Sequence, residues 1–504
     1  MNAVLEADVV VVGGGASGIT AAVAAAEREA GVILVEKGST TGGAANMGMG
    51  LFAVGSTHQK AALVDFDEEA AFRLFMEYTH WRVDARLVRR YIAQSADTIA
   101  WVEKMGVEFL GAYKYFEKSQ QTWHVVKAAG SSVPAERAAS NLYRALTERA
   151  TELGVDIRYR TKATRIVMQD GRAVGVDVVA EDGRETHIEC NAVIVATGGF
   201  GNNPRMIEDK LGYEWGRDLH SFRIPGVDGE GLGMLWAAGA GTTTPIMELT
   251  YTSPGLTDVY KTISETMRQP TLMVNLDGQR FLDESIMNNT VFTGNAVARQ
   301  RRRVAFTLAD DGLLEHYRRA GLDYVTVHHN VRSIDAWDRE VQAYASGAGV
   351  ASAGLSELHS EQQKSERNFW VCNGLAEVAE RTGIPLAALT TTVDDYNAAC
   401  RSGDTQFFKP QRFMRPLEGP TFYVARHFPA GYGSLGGVAV SDSLEVLDAD
   451  GLPIPGLYAA GTDACNIFGD SYCFYLPGNT MGFAVNSGRL AGYQAVAYMD
   501  SPDF

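Results

Sequence analysis

The sequence has few of the features that mark secreted, metal-binding or membrane-spanning proteins. Its five cysteines are an odd number and contain no CxxC pair, which argues against a disulfide framework, a zinc site and a haem-attachment motif. No apolar run approaches the ~18 residues that a membrane-spanning helix needs. The first predicted strand begins within about eight residues of Met1, so we expect no export signal. We therefore expect a reduced, cytoplasmic setting and predict no metal site.

The sequence also lacks positive charge. Its 45 Lys and Arg residues are outnumbered by 61 Asp and Glu residues, for a formal net charge of -16. Nucleic-acid phosphates would be repelled over most of such a surface, so we predict no nucleic-acid partner. One dense basic cluster, at Arg299 and residues 301–303, is interpreted as a solvated helix face, with an anion or partner site as the alternative.

The N-terminal segment carries a dinucleotide-binding pattern. An apolar run over residues 9–12 leads into a glycine turn, an Ala-rich helix and a second apolar run that ends at Glu36. Gly13 permits the tight turn, Gly15 lets the backbone approach a pyrophosphate, and Gly18 lets the helix pack closely on the sheet. Glu36 suits a ribose hydroxyl pair. Together these features predict a βαβ cofactor site.

Further segments are predicted to return the chain to that site. Gly38–Ala45 is a loop of small residues, and apolar strands ending in glycine turns are predicted near residues 192–199 and 456–461. A loop feeding a helix near Asn479 suits the pyrimidine carbonyl of a flavin. The predicted cofactor-binding residues are Gly13, Gly15, Ala16, Ser17, Gly18, Glu36, Lys37, Gly42, Gly43, Ala44, Ala163, Thr197, Gly198, Gly199, Gly461, Thr462, Asp463, Gly478, Asn479 and Thr480.

The predicted organisation is a Rossmann-like α/β FAD-binding domain, residues 1–246 and 413–504, interrupted by an inserted α+β capping domain, residues 247–412. Residues 67–154 show helical periodicity, and residues 155–179 predict a hairpin that turns at Asp170–Gly171. In the insertion we predict a turn at Asp277–Gly278, a polar surface stretch over 356–367 and a helical segment over 373–399.

Nearly the whole chain resembles the fumarate reductase and succinate dehydrogenase flavoprotein superfamily. The resemblance is to its soluble single-chain branch, which includes 3-ketosteroid dehydrogenases and urocanate-reductase-like enzymes. It rests on the motifs "VVVVGGGASG", "VIVATGGFGNN", "GEGLGMLWAAGA", "NLDGQRFLDE", "TTVDDYNAA", "GSLGGVAV" and "IPGLYAAGTDA". It implies a bilobal fold, a noncovalent FAD and a substrate held against the flavin by the cap. The implied chemistry is hydride transfer between flavin N5 and a C=C bond.

The family residues that bind and protonate a dicarboxylate are replaced in this chain. The proton-donating arginine is replaced by Asn288 or Asn289, and a carboxylate-binding histidine by Leu249 or Thr250. A second histidine is replaced by Gly433, and a carboxylate-binding arginine by Tyr475. Because buried carboxylates need cationic partners, we predict that fumarate is not the substrate.

Five residues are the catalytic candidates. The hydroxyl of Tyr475 is predicted to hydrogen-bond a ketone or phenol and exchange a proton with it, with packing on the flavin as the alternative. Tyr472 and Tyr432 are weaker candidates of the same kind. Glu265 and Arg268 match the proton-relay pair of the reductases, although a plain salt bridge would give the same pattern.

Other residues of the same regions are given simpler interpretations. Arg280, in "GQRF", is interpreted as a structural anchor for the cap. The aromatic residues Tyr113, Tyr115, Phe116 and Trp123 would either line an apolar pocket or belong to the core.

The leading functional prediction is an FAD-dependent oxidoreductase that reduces or forms a C=C bond on a largely uncharged enone or phenolic substrate, such as a steroid or isoflavonoid. A reductase of an unsaturated monocarboxylate that uses Arg268 is one alternative. A flavin electron-transfer subunit without small-molecule turnover is another. Because the chain shows neither a haem motif nor a second GxGxxG unit, a separate electron donor or acceptor is expected as a partner, unless the substrate itself supplies the electrons.

Overall fold

The computed structural model describes residues 3–132, 137–221, 223–257, 259–347 and 367–501. The chain divides into two compact units. The nucleotide unit comprises Met1–Leu211, Arg223–Met247 and Gly433–Phe504. The capping unit comprises Gly212–Phe222 and Glu248–Tyr432.

Both units contain helices and strands. The strands are β1 (Ala3–Val12), β2 (Val32–Val35), β3 (Gly50–Phe52), β4 (Phe109–Tyr113), β5 (Trp123–Val126), β6 (Asp156–Arg158), β7 (Thr161–Gln169), β8 (Arg172–Ala180), β9 (Glu185–Val195), β10 (His220–Ser221), β11 (Ile246–Thr252), β12 (Leu272–Asn275), β13 (Ala305–Asp310), β14 (Phe369–Asn373), β15 (Thr421–Leu435), β16 (Glu445–Leu447) and β17 (Pro453–Ala459). The helices are α1 (Ala16–Ala26), α2 (Thr57–Ala61), α3 (Glu68–Tyr78), α4 (Ala85–Glu103), α5 (Ser140–Glu152), α6 (Pro204–Leu211), α7 (Glu230–Ala237), α8 (Lys261–Thr266), α9 (Thr290–Ala298), α10 (Asp311–Ala320), α11 (Trp337–Ser346), α12 (Leu375–Thr382), α13 (Leu386–Ser402) and α14 (Asn479–Met499). Short 3-10 turns lie at Gly43–Met47, Glu284–Ile286, Arg301–Arg303, Gln411–Phe413 and Gly461–Ala464.

The nucleotide unit is built on a mixed sheet with a parallel centre. Its strand order is β16-β17-β9-β1-β2-β6, and β8 and β7 extend from β9 as an antiparallel hairpin. Strand β1 pairs in parallel with both β2 and β9, and residues 9–12 are at most 3% exposed. A strand buried on both faces reads as a continuous apolar run, which is why this segment could be identified from the sequence.

Small residues allow helices α1 and α14 to lie against each other. A side-chain carbon at Gly488 would overlap the carbonyl oxygen of Ser17, and one at Gly492 would overlap the carbonyl oxygen of Ala21. The close approach holds the N-terminal and C-terminal parts of the nucleotide unit together, although the residues in contact are 471 positions apart in the sequence.

The capping unit is built on a six-stranded sheet around the long strand β15. The strand order is β10-β15-β13-β12, and β11 and β14 also pair with β15. Its main core includes Phe306, Tyr317, Trp337 and Phe369, each at most 2% exposed. This large apolar cluster gives the unit a core of its own.

A buried ionic network ties the loops of the capping unit. Arg280 donates to Glu284 at 2.7 and 2.9 Å and to Asp404 at 3.0 and 3.1 Å, and the Lys409 Nζ atom donates to the Tyr396 hydroxyl at 2.8 Å. Arg280 therefore joins the segment after β12 to the loop after α13, which fits the anchoring role interpreted from the sequence.

The structure differs from the sequence predictions in three places. Helix throughout residues 67–154 is wrong for residues 109–126, where β4 and β5 form a small sheet with β3. The predicted helical segment over 373–399 begins in β14 and is split between α12 and α13, because Gly383 has a left-handed φ of +76° and Pro385 precedes α13. The capping unit extends to Tyr432 rather than residue 412, since β15 pairs with β13 and β14 within it, and it also includes Gly212–Phe222, which the predicted boundaries assign to the FAD-binding domain.

Both predicted turns are confirmed. Asp170 and Gly171 have left-handed φ values and connect β7 to β8. The amide of Gly278 donates to the carbonyl of Asn275 at 3.0 Å. The predicted polar stretch 356–367 lies outside the described residues except for Arg367. Within the described ranges, no helix is long and apolar enough to cross a bilayer.

Candidate active site

The glycine turn after β1 has the geometry that a dinucleotide requires. Gly13 has a φ of +99°, and a side-chain carbon at Gly18 would overlap the Gly13 carbonyl oxygen. At Gly15, by contrast, the nearest atom to such a carbon would be 4.0 Å away. Gly13 therefore serves the turn and Gly18 the close packing of α1, while Gly15 leaves open space at the N-terminus of the helix.

The N-terminus of α1 and Glu36 together suit a nucleotide. No side chain caps α1, and Ala16, Ser17 and Gly18 in its first turn are uncharged and buried. The Glu36 carboxylate accepts the amides of Gly14 and Gly38, each at 2.6 Å. Uncapped amides attract a phosphate, and each carboxylate oxygen keeps a lone pair for a ribose hydroxyl.

The loop after Glu36 packs directly on the glycine turn. The amide of Gly42 donates to the Gly14 carbonyl at 2.8 Å, and a side-chain carbon at Gly43 would lie 3.3 Å from the Gly15 Cα. Ala44 follows in the 3-10 turn, and Ala163 is buried on β7. These small residues narrow the space beside the turn without filling it.

Lys37 is engaged within the nucleotide unit. Its Nζ atom donates to Asp228 at 3.2 Å and to Glu230 at 2.8 Å. Although burial opposes it, hydrogen bonding to these two carboxylates raises the pKa of Lys37. Lys37, a predicted cofactor contact, therefore forms ion pairs within the nucleotide unit.

Asp463 closes the turn at the end of β9. Its carboxylate accepts the amide and hydroxyl of Thr197 at 2.6 and 2.9 Å, and the amides of Gly198 and Gly199 at 3.2 and 2.8 Å. Burial raises the pKa of Asp463 despite these four hydrogen bonds. Beside it, the amide of Gly461 donates to Ser487 at 2.9 Å. The predicted residues 197–199 and 461–463 thus form one structural cluster.

The start of α14 uses its polar groups differently from the prediction. Gly478 precedes the helix with a φ of +91°. The Asn479 side chain donates to the Leu476 carbonyl at 2.7 Å and accepts the Tyr91 hydroxyl at 3.0 Å, so it stabilises its own loop. The amide of Thr480 donates to the Tyr472 hydroxyl at 3.3 Å. Any contact of Asn479 with a flavin carbonyl would therefore come from its backbone.

Tyr475 lies in an aromatic cluster of the nucleotide unit. Its ring centroid is 6.2 Å from that of Tyr78, edge-on, and 5.9 Å from that of Phe116. The Tyr78 hydroxyl donates to the Tyr472 carbonyl at 2.8 Å, which links the two predicted tyrosines. Burial and the neighbouring Cys473 raise the pKa of Tyr475, so its hydroxyl stays protonated at neutral pH.

Of the other aromatic residues singled out, Tyr115 packs with both Phe474 and Trp123. The Tyr115 ring centroid is 4.5 Å from that of Phe474 and 5.4 Å from that of Trp123. The Tyr113 hydroxyl donates to the Leu110 carbonyl at 3.4 Å. The cluster around Tyr475 is therefore largely apolar.

The remaining three catalytic candidates lie in the capping unit. Arg268 donates to the Tyr251 carbonyl at 2.8 Å and lies over the Tyr251 ring, 4.4 Å from its centroid. Tyr432 is close enough to interact electrostatically with Arg268. The Glu265 carboxylate pairs with the His329 Nδ1 atom at 2.7 Å. Burial alone would raise the pKa of Glu265, but His329 and Arg268 hold it below its ordinary value.

Sequence reasoning missed His427, which extends this cluster. Its Nδ1 atom forms a hydrogen bond with Ser253 Oγ at 2.9 Å, and its Nε2 atom forms one with Thr307 Oγ1 at 2.8 Å. Burial, and then the charge of Arg268, lower the pKa of His427 to about 3, so its ring is neutral at physiological pH. A single histidine within a strand gives no local motif, and only the pairing of β13 with β15 reveals its partners.

The residues that replace the dicarboxylate-binding residues of the family are also described by the structure. Thr250 and Asn289 are 4% and 2% exposed, respectively, in the capping unit. Gly433 lies in the nucleotide unit, beside Gly201, and has no side chain to offer. None of these residues carries a charge.

Comparisons with known proteins identify this architecture. The model of the FAD binding domain family matches residues 8–480. The chain belongs to the FAD binding domain family.

Individual relatives of this flavoprotein support that assignment. It is 33% identical to the vinyl phenol reductase of Lactiplantibacillus plantarum over 97% of this chain and 96% of that protein. The open conformation of a flavocytochrome c3 fumarate reductase superposes with a TM-score of 0.69 and 25% identity, covering 98% of this chain and 78% of the other. A 3-ketosteroid-Δ4-(5α)-dehydrogenase from Rhodococcus jostii RHA1 shares the fold, with a TM-score of 0.72 at 23% identity over 97% of both chains.

These findings confirm the predicted superfamily, the α/β fold, the FAD cofactor and the class of oxidoreductase acting on CH–CH groups. The open approach at Gly15, the uncapped α1 and the Glu36 carboxylate show that the residues of the nucleotide unit fit FAD.

Proposed function

We propose that this flavoprotein reduces, or in the reverse direction forms, a C=C bond on a largely uncharged phenolic or enone substrate, and that fumarate is not its substrate. The observation that carries the proposal is the absence of charge at four positions where the resemblance implies cations or proton donors in the dicarboxylate enzymes: Leu249 or Thr250, Asn288 or Asn289, Gly433 and Tyr475. The likeness to a vinyl phenol reductase along almost the entire chain supports the phenolic class.

The absence of charge at these positions argues against a dicarboxylate on energetic grounds. A buried carboxylate without a cationic partner loses its solvation without compensation. Removing one partner of a buried ion pair, which leaves such a charge, costs ~3–5 kcal/mol. Two carboxylates would incur that cost twice. A phenol or ketone has only a neutral oxygen to satisfy, which neutral donors serve well.

Bound FAD supplies the hydride chemistry, and the protein must orient the substrate and manage its proton. We assign Tyr475 the role of hydrogen-bonding the substrate oxygen that activates the C=C bond. Its raised pKa favours a hydroxyl that donates a hydrogen bond and keeps its own proton. Its ring is held between the aromatic rings of Tyr78 and Phe116, which fixes the direction of the hydroxyl.

Arg268, Glu265 and Tyr432 are assigned to the proton path in the capping unit. Arg268 is half-buried, and among the described residues no carboxylate forms an ion pair with it. Glu265 is instead paired with His329, so the plain Glu265–Arg268 salt bridge considered from the sequence does not form. A guanidinium held by a carbonyl and an aromatic ring keeps donors available for a substrate or a water molecule.

The same observation supports a second candidate function. An unsaturated monocarboxylate would place its one negative charge against the Arg268 guanidinium, which lacks a carboxylate partner. This candidate predicts turnover of acrylate-like acids and a loss of that turnover in Arg268→Gln.

We also propose a cytoplasmic location and a separate electron donor or acceptor. All five cysteines are buried free thiols, as is usual in a reducing compartment. The proposed partner follows from the sequence, in which one dinucleotide motif serves the FAD.

The experiment is to reduce the purified holoenzyme anaerobically with dithionite and to mix it with single oxidants while following flavin absorbance. The panel contains 4-vinylphenol, a steroid enone, an isoflavone, acrylate and fumarate. We expect fast reoxidation by at least one neutral compound and none by fumarate. Reoxidation by acrylate alone would select the second candidate. Reoxidation by fumarate would contradict the proposal. If no compound of the panel reoxidises the flavin, the electron-transfer role or the dehydrogenase direction is favoured.

A further inference from the structure

A cavity of about 820 Å³ lies within the capping unit. Phe306 of β13 and Arg426 of β15 are paired in the sheet and both line it, while His427, the next residue of β15, pairs with Ala305. Successive side chains of a strand point to opposite faces of the sheet. The cavity therefore lies on the face opposite the one that carries His427, whose pKa responds to the charge of Arg268. It is separate from the proton path assigned to the capping unit.

The cavity has more positive than negative side chains in its wall. Its charged lining consists of three arginines and two carboxylates, Arg217, Arg302, Arg426, Glu214 and Asp218. Arg217 forms ion pairs with both Glu214 and Asp218, and Arg303 pairs with Asp218 at 3.3 Å. Both carboxylates thus have arginine partners that do not include Arg302 or Arg426. In a chain with a net charge of -16, such a site favours an anion.

Arg302 belongs to the basic cluster that the sequence analysis interprets as a solvated helix face. The structure places residues 301–303 in a 3-10 turn between α9 and β13 instead. Arg301 pairs with Asp277 at 2.8 Å, whereas Arg302 is exposed and forms no ion pair within the described ranges. Since Arg302 also lines the cavity, its position supports the alternative of an anion site.

The Arg426 side chain is held in one orientation. Its Nε atom donates to the Asn368 Oδ1 atom at 2.7 Å, and the Asn368 Nδ2 atom donates to the Pro254 carbonyl at 2.8 Å. The Arg426 guanidinium lies over the Phe428 ring, 5.2 Å from its centroid. A guanidinium fixed in this way loses little conformational freedom when it binds an anion.

Aromatic rings form another part of the wall. Trp215, His220 and Phe428 line the cavity, and the His220 and Phe428 ring centroids are 4.7 Å apart. Trp215 is half-buried and precedes the arginine and carboxylate of the same segment, Arg217 and Asp218. Aromatic side chains of this kind stack on the planar ring of a ligand.

The lining defines the chemistry of a ligand. A simple anion would leave the aromatic wall without a partner, and a neutral aromatic compound would leave the arginines without one. The volume lies within the range of ~300–1,000 Å³ that is usual for sites of whole small molecules and cofactors, so one ligand can carry both groups. Arginine guanidiniums match phosphate oxygens in geometry, and a phosphate supplies more than one negative charge.

We propose that this cavity binds a nucleoside phosphate, with the base against Trp215 and the phosphates on Arg302 and Arg426. The site goes beyond the reduction of a C=C bond and does not depend on it.

Calorimetric titration of the oxidised holoenzyme, saturated with FAD, tests the proposal without turnover. The titrants are ADP, adenosine, inorganic phosphate and 4-hydroxybenzoate, which carries a ring and one carboxylate. Flavin absorbance after ultrafiltration shows whether FAD stays bound, so that binding of ADP at the FAD site is detected. The variants are Arg302→Gln and Trp215→Leu. The control is Arg299→Gln, which removes an exposed charge of the same cluster that does not line the cavity.

We expect wild type and Arg299→Gln to bind ADP at least ~10-fold more tightly than each of the other three compounds, with FAD retained. Arg302→Gln should weaken ADP binding by ~10-fold or more, the effect of a hydrogen bond between charged groups, and leave adenosine binding unchanged. Trp215→Leu should weaken the binding of both ADP and adenosine. Unchanged melting temperatures would show that the variants are folded. If Trp215→Leu is unstable, the exposed Arg302 still decides the outcome.

Three results overturn the proposal. The first is wild-type holoenzyme that binds no ADP, or binds it only by releasing FAD. The second is equal affinity for ADP and for inorganic phosphate or 4-hydroxybenzoate, which would show a site for a simple anion or an aromatic acid. The third is an equal loss of ADP affinity in Arg302→Gln and Arg299→Gln, which would show an effect of surface charge alone.

Discussion

The Asp463 carboxylate lies 2.6 Å from the amide nitrogen of Thr197 and accepts its hydrogen bond. Residues 266 positions apart are thereby joined at the end of the central strand β9. The carboxylate also accepts hydrogen bonds from the amides of Gly198 and Gly199, so one buried side chain fixes the backbone conformation of the turn.

Asp463→Asn should destabilise the nucleotide unit and lower its FAD content. An amide cannot accept hydrogen bonds through its nitrogen, so part of the turn loses its acceptor, at a cost of about 3 kcal/mol. Urea unfolding and the ratio of flavin to protein absorbance measure the two effects.

The control for this variant is Asp448→Asn. Asp448 also accepts two backbone amides, those of Asp450 and Leu452 at 2.9 Å, but it lies in an exposed turn. Equal losses in both variants would show that the burial of Asp463 has no special importance.

Gly18→Ala should abolish FAD binding. The added carbon would overlap the Gly13 carbonyl oxygen, so α1 would have to move away from the glycine turn. Gly233→Ala is a matched control, because Gly233 is also helical but has no atom within 4 Å of the added carbon. It should be neutral or stabilising by up to ~1 kcal/mol. Titration of the apoproteins with FAD checks the prediction, and normal FAD affinity in Gly18→Ala would contradict it.

The capping unit should lose stability in acid through Asp404. Burial alone would raise the pKa of Asp404, but hydrogen bonds from Arg280 and from the amides of Lys409 and Gln406 lower it to about 2. Because the pKa is lower in the folded state than in the unfolded chain, the stabilisation is complete above about pH 4 and is lost as the pH falls toward 2.

Its size is about 2 kcal/mol, from a difference of nearly two pKa units. Thermal unfolding measured at steps of ~1 pH unit between pH 6 and pH 2 would follow the loss of this stabilisation. Asp404→Asn should be less stable than wild type at pH 6 and should lose less stability on acidification. A parallel decline of both proteins would exclude Asp404 as the titrating group.

Tyr475→Phe should lower kcat for a phenolic substrate by ~10²-fold or more while leaving FAD content unchanged. The variant keeps the ring contacts with Tyr78 and Phe116 and removes only the hydroxyl. Tyr472→Phe is the comparison, because its hydroxyl accepts the Thr480 amide and should affect flavin binding more than turnover. Stopped-flow reduction of substrate separates these effects. Full activity of Tyr475→Phe would show that the Tyr475 hydroxyl has no role in catalysis and that the ring only packs.

Much of the nucleotide unit could be predicted because its constraints are local. Gly13, Gly15, Gly18 and Glu36 follow one another within a single βαβ unit, and each residue type has one physical reason to be there. The end of β9, residues 192–195, could also be recognised, because it is apolar and fully buried. Strands β4 and β5 could not, because they are short and because β5 pairs with the distant strand β3.

The candidate site could be predicted only in part because its partners are distant in sequence. Glu265 with Arg268 suggested a salt bridge, but Glu265 pairs with His329, 64 residues away. The sequence left Leu249 or Thr250, and Asn288 or Asn289, as equal alternatives.

The central claim, that the substrate is uncharged, is tested most directly by a matched pair of oxidants. The anaerobically reduced enzyme would be mixed with 4-vinylphenol and, separately, with 4-hydroxycinnamate, which differs by one carboxylate on the C=C bond. We predict that 4-vinylphenol reoxidises the flavin at least ~100-fold faster, because Gly433 and Tyr475, which replace a histidine and an arginine of the dicarboxylate enzymes, offer the carboxylate no cation. Equal rates, or faster reoxidation by 4-hydroxycinnamate, would contradict the claim.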